Sequence, residues 1–135
     1  MKKIILMVSL ILCSVVYAET AQTTPHQVQP SATVSQNIPF ETCTKIFGIN
    51  NEKLLYLTLA SISANRFNIE EIQTSNGYII FTANRGKYLA TVAKVDEKNA
   101  ILKITPCNNT YNFPPGIISN IYKYIDLNLN TEIKI

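Results

Sequence analysis

Protein chemistry usually needs a nucleophile, a base or a metal ligand, and this 135-residue chain offers three Cys, one His and nine Asp or Glu. The single His, His26, sits in Thr24-Pro25-His26-Gln27, among residues without a core pattern. A Ser-His or Cys-His couple needs its base held inside a fold, so the rest of the chain has no base of that kind. Two adjacent carboxylate pairs remain, Glu70-Glu71 and Asp96-Glu97, which in principle serve general acid–base work. Neighbours on a strand point to opposite faces, so these are read as solvated charges rather than as an acid–base pair. The sequence has no P-loop, no GxGxxG, no CxxC and no zinc spacing. The expectation is a protein that is not an enzyme, with no catalytic residue, no metal and no cofactor.

The cysteines are better placed for structure than for catalysis, and their reading depends on the N-terminus. Met1-Lys2-Lys3 is a short cationic head, and Ile4 to Val16 is an apolar run of about 13 residues, short of the roughly 20 that a spanning helix needs. Val16-Tyr17-Ala18 then places small residues at the −3 and −1 positions of a cut between Ala18 and Glu19. This reads as a cleaved secretory signal of bacterial type. An uncleaved anchor and a lipoprotein cut before Cys13 are weaker readings, since Leu12 stands where a lipoprotein peptidase wants a small residue. Export leaves Cys43 and Cys107 in an oxidising compartment, where a structural disulfide between them is the expected use. It would close a loop of about 65 residues, worth roughly 4 kcal/mol in the chain-entropy model.

Composition sets the remaining bounds. At 47% hydrophobic and 16% charged, the chain is too apolar to be wholly disordered, and its length suits one domain. Net charge is +3, but Lys2 and Lys3 supply two of the twelve cations, which leaves ten against nine acids after processing. Such a balance makes no case for a nucleic-acid or membrane-surface protein, and no stable membrane span is expected after processing. The expected layout is 1–18 signal, 19–37 flexible linker rich in Thr, Gln, Ser and Pro, 38–127 a single domain, and 128–135 a tail or edge strand.

Within 38–127 the apolar spacing predicts an α+β domain of order β-α-β-β-β-β-α. Phe40 to Ile49 reads as a strand, and Asn50 or Asn51 caps a helix over Leu54 to Ala64, with Leu55, Leu59 and Ile62 on one face and Asn65 as a left-handed stop. A four-strand meander follows over 67–73, 78–83, 87–95 and 100–107. Its turns are Asn76-Gly77, Asn84-Arg85-Gly86 with Gly86 at positive φ, and Asp96 to Asn99. Asn108 to Phe113 reads as a loop. Pro114-Pro115-Gly116 opens a second helix whose inner face is Ile117, Ile118, Ile121 and Ile125. Pairing of Cys43 with Cys107 puts the first strand beside the last, making a five-stranded antiparallel sheet with both helices on one face.

Residues 45 to 125 resemble small bacterial envelope domains, periplasmic or lipoprotein, of the helix-grip pattern. The resemblance is carried by Asn51-Glu52-Lys53-Leu54, by Phe67 through Asn76-Gly77-Tyr78 to Phe81, and by Ile117 to Ile125. It implies the fold and the compartment and assigns no functional residue. Tyr111, Phe113, Tyr122 and Tyr124 crowd the second helix and form a candidate binding patch, because Tyr anchors interfaces well. The leading functional expectation is an exported interaction module with an envelope protein partner. A small-ligand or lipid carrier, with a pocket lined by Tyr78, Ile80, Tyr88 and Val92, is the alternative. A secreted enzyme inhibitor is a third reading.

Overall fold

A computed structural model describes residues 34–133. The signal, its cut at Ala18-Glu19 and most of the linker therefore lie outside the described residues. The elements are β1 (Gln36–Asn37), β2 (Thr44–Phe47), α1 (Asn51–Ala64), β3 (Asn68–Gln73), β4 (Tyr78–Ala83), β5 (Gly86–Lys94), β6 (Ala100–Pro106), β7 (Asn112–Phe113) and α2 (Gly116–Asn128). The fold is α+β. Five strands form an antiparallel sheet in the order β2-β6-β5-β4-β3, so α1 carries the chain from one edge of the sheet to the other.

Alternation along the strands sends one set of side chains to a core shared with the helices. Ile79 and Phe81 on β4, Tyr88, Ala90 and Val92 on β5, and Leu102 and Ile104 on β6 are all buried. An aromatic row crosses this face, with Phe67 stacked on Phe81, Phe81 on Tyr88, and Tyr88 edge-on to Phe113 at 5.4 Å. Ile117, Ile118, Ile121 and Ile125 close the core from α2, as their spacing predicts. On α1 the buried face is rotated from the expected stripe. Leu54, Leu57, Thr58, Ser61 and Ile62 are buried along with Leu55, while Leu59 is only partly so. Two hydroxyls lie in that face because each has an acceptor: Thr58 donates to the Leu54 carbonyl at 2.7 Å and Ser61 to that of Ile121 at 3.3 Å.

Several local expectations are corrected. The first strand does not begin at Phe40. Phe40–Cys43 is a 3₁₀ turn in which the Thr42 amide donates to the Pro39 carbonyl, and extended backbone starts only at Thr44. Asn50 does cap α1, its side chain accepting from the Lys53 amide at 2.8 Å. The left-handed stop, however, is Arg66 (φ 58°) and not Asn65. Arg66 and Phe67 then donate to the Ser63 and Ile62 carbonyls, the paired bonds that close a helix through a left-handed residue. Ala83 pairs with Gly86, so the β4–β5 loop has two residues, and Asn84 and Arg85 carry the positive φ rather than Gly86. The expected loop at 108–113 holds β7, which pairs with β1 at the end of the expected linker. Finally, α2 runs on to Asn128, the first residue of the expected tail or edge strand.

The expected disulfide is absent, since Cys43 is a buried free thiol and Cys107 an exposed one. The register explains why. Thr44 pairs with Lys103, so Cys43 falls about 10 Å short of Cys107 along the β6 direction, beyond the reach of a disulfide. The faces also differ. Cys43 is packed in the core, whereas Cys107 follows Lys103 and Thr105 on the side away from the helices.

Candidate functional site

The four-residue aromatic patch expected around α2 is dispersed. Phe113 is 3% exposed, at the end of the core aromatic row. Tyr122 is half-buried, edge-on to Phe47 at 5.9 Å, with its hydroxyl enclosed and without a hydrogen-bond partner among the described residues. Burial pushes that phenol well above its ordinary value. Tyr124 lies apart from both, in a shallow hollow with Asn65 and Lys123. Only Tyr111 contributes to an open aromatic surface, and its partner there is Phe40, 6.1 Å away and edge-on.

That surface forms because, among the described residues, the sheet is covered on one face only. The open face carries Tyr78, Ile80, Leu89 and Ile101 half-buried, with Ile46 58% exposed, where an uncovered antiparallel sheet ordinarily carries polar side chains. At its β2–β6 corner the 3₁₀ turn lifts Phe40 out to 50% exposure, and the Lys103 ammonium stands 4.8 Å above its ring. Phe40, Ile46, Ile101, Lys103 and Tyr111 thus make one corner, apolar with a cation at its centre. Lys103 has no carboxylate within ion-pair distance among the described residues. Sequence reading missed Phe40 by placing it in a strand. Pro39, an acceptor poised to start a turn, was the available signal.

The opposite end of the same face is polar. A β-bulge between Ile69 and Glu71 breaks the alternation of β3. Glu70 and Glu71 consequently both engage the open face instead of pointing apart. Glu70 pairs with Lys87 at 2.6 Å, and Tyr78 donates to Glu71 at 2.7 Å. Those contacts raise the Lys87 ammonium and the Tyr78 phenol above their ordinary values. Asp96, in the β5–β6 turn, accepts from the Lys98 and Asn99 amides and from the Asn99 side chain, all at 2.8 Å. Its carboxyl is held below the usual range chiefly by the Asn99 side chain and the Lys98 amide. Glu97 pairs instead with Lys94. Each carboxylate of the two pairs is therefore committed to its own neighbour.

The carrier pocket is not assembled. Tyr78 and Ile80 pair with Thr91 and Leu89 on the open face, whereas Tyr88 and Val92 are buried against the helices. No helix among the described residues is long and apolar enough to cross a membrane. No family model matches the chain, and a search of curated proteins finds no match.

Proposed function

We propose that this chain is a non-enzymatic interaction module of the bacterial envelope, exported by its N-terminal signal and cut after Ala18. The observation that carries the reading is the corner of Phe40, Ile46, Ile101, Lys103 and Tyr111 on the uncovered sheet face. Aromatic anchors beside an aliphatic surface, with a cation held in place by a ring, are the ingredients of an interface centre. The fitting partner is an envelope protein that offers an apolar side chain next to a carboxylate, which would meet Lys103, a cation without an ion-pair partner among the described residues.

The test places a photo-crosslinking residue at Phe40 or at Ile46 of the exported protein in cells, with Ser119 on the outer side of α2 as control. One discrete adduct from both corner positions, absent at Ser119 and lost on adding Lys103→Glu, supports the proposal. Equal labelling at all three sites, or none, overturns it. Intact mass of the exported chain checks the compartment separately, and a species beginning at Glu19 is expected.

A further inference from the structure

A second concavity lies on the other side of the fold, where the start of α1 faces the turn between β3 and β4. It is an open groove of about 420 Å³, within the range of small-molecule sites. Its floor is apolar, made by Leu55 and Val92, 7% and 6% exposed. Its rim is polar: Asn51, Glu52 and Tyr56 from the first turns of α1, Ser75 and Asn76 from the facing turn.

The wall opposite the helix is fixed by the backbone. Gly77 has φ +66°, and its carbonyl accepts from the Val92 amide at 2.7 Å. A Cβ at Gly77 would meet the Val92 carbonyl oxygen at 2.5 Å, so the turn can lie this close to β5 only with glycine there. The concavity is thus held between a helix and a pinned turn.

We propose that this groove binds a neutral saccharide. The rim amides and hydroxyls both donate and accept, as sugar hydroxyls do, and the Glu52 carboxylate can take two hydroxyl donors. The Tyr56 ring and the aliphatic floor suit the C–H face of a pyranose, which is apolar while its edge is polar. Glu52 is the sole charge in the lining, so phosphate, carboxylate and sulfate ligands are disfavoured. A peptide would need backbone pairing along an extended edge, and the lining offers a rim of short side chains instead.

Backbone-amide NMR of the full chain, titrated with glucose and with N-acetylglucosamine, tests the proposal. Inorganic phosphate and free lysine are run as comparison probes. The expected result is shifts confined to Leu55, Tyr56, Ser75, Gly77 and Val92, saturating in the millimolar range with at least one sugar. Tyr56→Ala and the exposed Glu52→Gln should each weaken that binding about tenfold, the cost of a contact of this kind, with the rest of the spectrum unmoved. If Tyr56→Ala unfolds the chain, Glu52→Gln decides alone. Absence of shifts with both sugars, shifts scattered over the surface, or a response to phosphate or lysine in place of sugar would overturn it.

Discussion

Ser61 on α1 donates its hydroxyl to the main-chain carbonyl of Ile121 on α2, 3.3 Å away and fully buried. A side chain that short lets the two helices approach until a hydroxyl on one reaches the backbone of the other. Ser61→Leu should therefore force them apart, costing about 2 kcal/mol or more through overpacking. Ser61→Ala keeps the spacing and should cost about 1 kcal/mol, the worth of the bond. Urea unfolding of the two variants measures the difference, and equal losses would deny that close approach matters.

Arg85 occupies a left-handed position, φ 67°, in the two-residue β4–β5 loop, next to Asn84 at φ 48°. Loops of this geometry favour Asn followed by Gly, because a side chain at the second position crowds the backbone. Arg85→Gly should stabilise the domain by about 1 kcal/mol and raise the melting temperature by several degrees. Scanning calorimetry reads the change directly, and a lower melting temperature would refute the assignment of strain.

The enclosed Tyr122 hydroxyl has no partner among the described residues, so it contributes a desolvation cost without a bond in return. Tyr122→Phe should leave stability at neutral pH unchanged or raise it by about 1 kcal/mol. Its pH signature follows from burial raising the folded phenol above the unfolded one. Stability due to Tyr122 is intact below the unfolded value near pH 10 and is lost as pH climbs from there toward the folded value. The Phe variant should have a flatter alkaline limb in a melting-temperature series, and an unchanged limb would contradict the account.

Thiol reactivity should split sharply. Burial pushes both thiols up, so access makes the difference: Cys107 is exposed, while Cys43 is sealed in the core. Native alkylation without reductant should label Cys107 within minutes and leave Cys43 until the chain unfolds. Cys107→Ser should not change stability. Protection of both thiols, released only by reductant, would restore the cross-link that the register denies.

What the sequence made legible is what short-range period controls. Ile117, Ile118, Ile121 and Ile125 read as an inner face, and they are one. Asn50 or Asn51 read as a cap, and Asn50 caps. The order of elements follows in the same way, from periodicity and turn residues. The first strand does lie at the edge beside the last, but that expectation rested on a Cys43–Cys107 bond that the structure does not contain. The misses came from competition that period does not encode. Phe40, Thr42 and Cys43 are good strand residues, yet the Pro39 carbonyl draws the Thr42 amide into a turn. Glu70 and Glu71 share a face only because a bulge intervenes. The corner at Phe40 depends on Lys103 and Tyr111, which reach it from β6 and from the loop beyond, so no local window contains it.

The bulge in β3 has one more effect, on how copies of the chain can line up. An open sheet of this kind ends in two different strands, β2 on one side and β3 on the other. Joining the β2 of one copy to the β3 of the next would repeat without closing, which is how a linear polymer grows. β2 offers four residues, roughly 13 Å of template. β3 answers with a strand made irregular by the bulge in its pairing with β4, between Ile69 and Glu71, and with the carboxylates of Glu70 and Glu71 on its open face. Too short a template on one side and an irregular strand flanked by carboxylates on the other are the features that disfavour edge-to-edge growth of this kind.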